Sequence, residues 1–394
     1  MPSTFHTRIP ELMMASGPCS VYPQVLRAMG QQMVHHRTDN FVELLLSISG
    51  DLSELFHTKN RVLPVEGESI LGLEMAAYNL VRPGDVCINL ATGYYGSGYQ
   101  KVLRGWGGDV VNVETPYNTS FTIGQVRELL DAHPDAKVLA FVHSETPSAS
   151  ENPLREICEE CHRRGVLTIV DSVSGVGGSP LEFDDWGCDV VVTGTQKCLG
   201  ASPGLSLVAL SDRAWQRIDE NDWRYDRSYL SFKPWRGWLE RDYVPYTPSI
   251  SLLYGLKAAL DIIDDEGRQN VIDRHMRSAR ACRAGIRGMG LDLWVDRDEN
   301  MANSVTAVTV PEGIDDTVLR GMLDDEYGLH ISGGLGQEAG RLMRIGHMGY
   351  TATLEKVLTA LSCLGSALTR MGHTVDMTQG LAAASEAYAA PLSE

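Results

Sequence analysis

Two short segments hold residue types that belong together chemically: Thr168-Ile169-Val170-Asp171-Ser172-Val173-Ser174 and Val192-Thr193-Gly194-Thr195-Gln196-Lys197-Cys198. Each closes an apolar, β-branched run, so Asp171 and Lys197 fall at the ends of what read as neighbouring strands. An amine there can condense with an aldehyde, and a carboxylate can keep a pyridine nitrogen protonated. Those are the demands of pyridoxal chemistry, in which the protonated ring takes up the electrons released when Cα loses its proton. Val173 lies on the same side of the extended chain as Asp171, where it can pack beneath such a ring. Taken singly, either residue reads as a surface lysine or an ordinary strand-end aspartate; the pair, in this order, carries the chemistry.

The elements that must position them follow from hydrophobic periodicity. Strand candidates are Asp85–Leu90, Asp109–Glu114, Lys137–Val142, Val166–Asp171, Asp189–Thr193 and Leu205–Leu210. Helical patterns lie between them, such as Ile123, Val126, Leu129 and Leu130 on one face. Continuous apolar strands alternating with helices predict a mostly parallel sheet covered on both sides, with ligands at the carboxyl ends of its strands. A long aromatic connection with Trp223, Trp235 and Trp238 runs from Asn221 to Tyr246. Helices at Ser249–Asp265 and about Asn270–Met289 come next, then strands at Ser304–Val310 and Leu342–Gly346, and a last helix carrying Leu354, Val357, Leu358, Leu361 and Leu364. The division expected is a large domain over residues 1–260, including an N-terminal segment, and a smaller one over 261–394.

Composition narrows the partners. With 394 residues, 34 basic against 51 acidic, the chain carries a net charge of -17. That field repels nucleic acid and gains nothing at a membrane surface. No run approaches the roughly 20 apolar residues of a membrane span, and Met1–Pro10 shows no export signal. Eight scattered cysteines read as free thiols in a reduced, cytoplasmic protein. The ligands expected are small: an amino donor and a 2-oxo acid.

Further motifs carry a resemblance. Ser16-Gly17-Pro18 with Tyr22-Pro23, His36-Arg37, Tyr95-Gly96, Glu145-Thr146, Tyr246-Thr247-Pro248 and Arg344-Ile345-Gly346-His347, together with the two opening segments, resemble the class V aminotransferases over nearly the whole chain. The resemblance implies a fold-type I α/β architecture, with a mostly parallel seven-stranded sheet and a smaller C-terminal α/β domain. It implies Lys197 as Schiff-base lysine and proton shuttle, Asp171 at the ring nitrogen, and Thr146 near the phenolic oxygen. Tyr95 would lie over the ring and Val173 beneath it. Gly17 would line the substrate site, and Arg344 would clamp the substrate carboxylate with its bidentate fork. Tyr246 and Thr247 would reach the site of a neighbouring subunit in a homodimer or dimer of dimers. The cofactor implied is pyridoxal 5′-phosphate, with no metal.

At one place the family pattern changes. Its phosphate cradle, small residues at a helix N-terminus, corresponds here to Glu66-Gly67-Glu68-Ser69-Ile70. Two unit charges about 4 Å apart cost about 4 kcal/mol at an effective dielectric of ~20, and a dianion about doubles that. A helix terminus returns only about 0.3–1 kcal/mol. Glu68 therefore opposes phosphate and suits a hydroxymethyl group, as in the pyridoxamine–pyruvate branch of the family, which takes unphosphorylated pyridoxamine as substrate. Gly67-Glu68, Leu71-Gly72-Leu73-Glu74 and Lys197-Cys198-Leu199-Gly200-Ala201 resemble that branch. Gln196, Tyr246 and His36-Arg37 resemble the phosphate-using glyoxylate enzymes instead, as does Leu335, where the pyridoxamine branch carries a second arginine. Glu68 turned to solvent or paired with Arg61 would also leave the amides free for phosphate. Both readings stand at this point, with a lyase or desulfurase on the same scaffold as a further class.

Three decoys are weaker. Cys158-Glu159-Glu160-Cys161-His162 spells a haem-attachment motif but lies mid-helix, and no second ligand pair suggests zinc. Gly200-Ala201-Ser202-Pro203-Gly204 spells a nucleophile elbow, yet a strand rather than a helix follows the serine. The tryptophans around Trp235 read first as packing.

Overall fold

The computed structural model describes residues 12–392; the reading of Met1–Pro10 lies outside them. Seven strands form the main sheet: β1 (Leu63–Glu66), β2 (Val86–Ala91), β3 (Asp109–Glu114), β4 (Val138–Val142), β5 (Leu167–Asp171), β6 (Val190–Gly194) and β7 (Leu205–Leu210). Their spatial order is β1-β7-β6-β5-β4-β2-β3. Only β7 runs against its neighbours, pairing antiparallel with β1 and β6. The carboxyl ends of the other six therefore share one edge of the sheet. All six strands read from the sequence are present, with ends shifted by at most one residue. The seventh, Leu63–Glu66, is an addition to that reading.

β4, β5, β6 and β7 are almost wholly buried, which is why they read as unbroken apolar runs rather than alternating ones. A core of residues between Phe41 and Val271 packs about this sheet. A second core draws on Met14 and on residues from Ala281 to Ala384. There Val305–Thr309, Leu342–Gly346 and Ser332–Gly333 form a small antiparallel sheet with the Leu342–Gly346 strand in the middle.

One expectation is corrected. Leu354–Arg370 is not the last helix, because Met377–Ala389 follows and packs against Arg268–Gly288. The long aromatic connection after Asn221 holds a 3₁₀ turn at Lys233–Trp235 and a short helix at Arg236–Arg241. Trp235 and Trp238 are buried within it, so they are packing residues.

Candidate active site

The shared edge of the sheet gathers the chemistry. Asp171 ends β5, and Lys197 lies three residues past β6. Tyr95 opens the helix after β2, and Glu145-Thr146 follow β4. Ser69 opens the helix after β1. Arg344 arrives from the second core on the Leu342–Gly346 strand.

Lys197 is 8 % exposed, and its Nζ donates to the Ser16 carbonyl at 2.5 Å. Burial, reinforced by the Arg344 cation, pushes its amine down to about 8, so a large neutral fraction is present just above neutrality. Burial pushes the Asp171 carboxyl up to about 6, although the Val173 N–H donates to its Oδ1 at 3.0 Å. Both ends of the pair are thus desolvated: a nucleophilic nitrogen and an acid waiting for a cation. Asp171 and Tyr95 lie on the wall of a cavity of about 450 Å³, ample for a substituted pyridine; Lys197, folded back on Ser16, is not on that wall.

Arg344 is 5 % exposed. Its Nε donates to the Gly333 carbonyl at 2.8 Å and its Nη1 to the Thr146 carbonyl at 3.4 Å. Burial pushes its guanidinium down to about 10, and it forms no ion pair with a carboxylate among the described residues. Arg344 is not on the cavity wall either, but a buried guanidinium without an ion-pair partner suits a substrate carboxylate. Thr146 Oγ1 lies 2.6 Å from Ser174 Oγ.

Gly17 has φ +113, and a Cβ there would stand 2.2 Å from Lys197 Nζ. No other side chain fits while the lysine keeps this course. Gly17→Ala is expected to weaken pyridoxal binding at least about tenfold, measured by absorbance titration.

At the cradle, Glu68 is the residue before the Ser69–Leu80 helix, and its exposed side chain makes no cap hydrogen bond. Arg61 is not its partner: it pairs with Asp242 at 2.6 Å and donates to the Trp238 carbonyl. Gln196 Nε2 donates to Ser69 Oγ at 3.3 Å, whereas buried Gln196 Oε1 has no donor. Tyr246 stacks on Tyr229 at 4.5 Å, lines a small cleft with Glu66, and is followed by Thr247. Gly200–Gly204 leads into β7, and Cys158 and Cys161 lie buried in the Leu154–Arg164 helix.

Sequence reading passed over the role of Glu145. It is fully buried and accepts from the Tyr95 N–H at 3.1 Å and the Gly96 N–H at 2.9 Å. His143, also buried, lies 2.9 Å from Ser172 Oγ. Their spacing gave no signal, since both work through bonds to chain segments distant in sequence.

The chain matches the Aminotransferase class-V family over residues 17–355. It belongs to the class V aminotransferases. This class V aminotransferase is 36% identical over 376 residues to the pyridoxamine–pyruvate transaminase of Mesorhizobium japonicum, covering 95% of this chain and 96% of that protein. It is 31% identical to the (S)-ureidoglycine–glyoxylate transaminase of Bacillus subtilis, covering 95% and 94%. The crystal structure of pyridoxamine–pyruvate aminotransferase from Mesorhizobium loti superposes with a TM-score of 0.93 at 36% identity, covering 96% of this chain and 97% of that one. The fold-type I architecture and a transaminase activity follow. No helix among the described residues is long and apolar enough to cross a membrane.

Proposed function

We propose that this aminotransferase moves the amino group of pyridoxamine to pyruvate, releasing pyridoxal and L-alanine. One observation carries the choice of an unphosphorylated ring. The helix N-terminus that would greet a phosphate is preceded by the exposed Glu68 carboxylate, an acceptor that makes no cap hydrogen bond. Acceptors repel a dianion and welcome the O–H of a hydroxymethyl group. The 36% identity to the Mesorhizobium enzyme supports the same reading.

The pyridine ring supplies an electron sink when bound. Lys197 would be the lysine that bonds the ring aldehyde, and its amine, kept partly neutral by burial, would hold and pass on the proton taken from the substrate carbon. Asp171 keeps the ring-nitrogen proton in place, and Val173 packs beneath the ring. Tyr95 covers its other face, Thr146 meets the phenolic oxygen, and Ser69 and Gln196 close the hydroxymethyl end. Arg344 orients the carboxylate of the 2-oxo acid, and Gly17 leaves room for Lys197 to swing. Tyr246 and Thr247 serve a second subunit's site in a cytoplasmic homodimer or dimer of dimers. In support of that, Tyr225, Tyr229, Tyr243, Met33 and Ile70 are exposed apolar groups on this chain. A division near residue 260 into two lobes fits the two separate cores.

The second reading, a pyridoxal-phosphate enzyme passing amino groups from alanine, serine or aspartate to glyoxylate, is favoured by Gln196, by Leu335 and by the Bacillus relative. Desalted protein decides between them. The expected result is colourless protein that turns over pyridoxamine with pyruvate. A chromophore that survives desalting and releases phosphate on denaturation overturns it.

A further inference from the structure

The turn that carries Tyr95 is held by two buried side chains, Glu145 and Asn89. Gly93 precedes the Tyr94–Gly105 helix, and both Glu145 oxygens accept from its first N–H groups, Oε1 from Tyr95 and Oε2 from Gly96. Asn89 holds the same turn from the other side, donating to the Gly96 carbonyl at 2.9 Å. The fit is close: a Cβ on Gly93 would stand 2.3 Å from Glu145 Cγ, and one on Gly96 3.3 Å from Oε2. The residue after Glu145, Thr146, gives its carbonyl to Arg344. A single two-residue segment therefore fixes both the ring-stacking tyrosine and the cation meant for the substrate carboxylate.

We propose that Glu145 is a positioning residue whose two-pronged bond to the Tyr95–Gly96 backbone presses Tyr95 against the pyridine ring, so that ring affinity depends on its being ionised. The inference rests on the reading of Tyr95 as the ring-covering residue. An ionised carboxylate accepts both N–H groups; once protonated, one oxygen becomes a donor facing a donor, and one bond is lost. Burial holds this carboxyl up at about 7, with further upward pushes from Asp171 and Glu338, while the backbone bonds pull it down. Tyr95 and the Arg344 cation are the other titratable groups facing it. The clamp is therefore complete above neutrality and loosens as the pH falls through about 7.

The test is binding of pyridoxal and of pyridoxal 5′-phosphate, followed by absorbance between pH 6 and 8.5. Glu145→Gln keeps the shape but not the charge, and is expected to weaken the tighter aldehyde about tenfold at pH 8 and less than about twofold at pH 6. Gly93→Ala, whose φ of 178 suits any residue, displaces Glu145 without altering its charge and is expected to weaken binding likewise. In a Tyr95→Ala background Glu145→Gln is expected to add less than about twofold. A Glu145→Gln ratio constant across pH, effects additive with Tyr95→Ala, or an unchanged Gly93→Ala overturns the inference. Wild-type protein that binds neither aldehyde overturns the proposed function itself, so the two failures are distinct.

Discussion

Lys197→Ala is expected to lower turnover of pyridoxamine with pyruvate roughly ten-thousandfold, about 5.4 kcal/mol of barrier height. The amine is the nucleophile and the proton carrier at once. Arg344, the cation whose field bears on Lys197, cannot substitute, because even pushed down to about 10 it stays protonated at neutral pH. Folding should survive the change. Burial depresses the lysine's affinity for a proton from 10.5 to about 8, so below that pH the folded chain carries a charge it disfavours, and alanine removes it. Single-turnover kinetics measure the loss. Borohydride reduction in the presence of pyridoxal, followed by peptide mapping, checks the cause: the label should vanish in the variant. A label on another lysine, or activity above one per cent of wild type, would refute the assignment.

Glu68→Ser should reverse the preference between the two aldehydes. The serine restores a small donor at the N-terminus of the Ser69–Leu80 helix, where backbone N–H groups and the helix dipole favour an anion. The carboxylate is exposed within the single chain, so salt and solvent screen its repulsion well below the roughly 8 kcal/mol of a close contact with a dianion at a dielectric of ~20. A gain of about a hundredfold for pyridoxal 5′-phosphate relative to pyridoxal, about 2.7 kcal/mol, is the size expected. Parallel titrations measure it. An unchanged ratio would mean that Glu68 points away from the ring substituent, and the phosphate-using reading would then gain the ground.

Parts of this architecture were plain in the residues for a physical reason. A strand buried on both faces has no choice but to be apolar throughout, so Val138–Val142 and Val190–Gly194 announce themselves. The strand at Leu63–Glu66 is short, contains Pro64 and sits at a sheet edge, which removes the propensity signal. The final helix, Met377–Ala389, went unread because it docks through small residues. Gly380 and Ala384 meet Gly285 and Gly288 at backbone contact, a pattern that large-residue periodicity misses. Within the site, Lys197 and Asp171 were legible because charged residues at the ends of apolar strands are costly unless used. Arg344, in the middle of Leu342–Gly346, came only with the family resemblance. The geometry of Glu145 was not, since which N–H groups a carboxylate meets is decided only when distant segments close on one another.

The segment before Tyr22 has a consequence for anyone handling this protein. Leu12–Met13 pairs with Leu329–His330, the Gly346 N–H donates to Met14, and the Ser16 N–H donates to the Ser332 hydroxyl. A few residues on, Ser16 receives Lys197 Nζ and the Cys19 N–H reaches the Gln196 carbonyl. One continuous strap thus ties the smaller core to the lysine. Nicking this strap with a protease, or substituting the residues that make its bonds, would disturb the reaction centre directly.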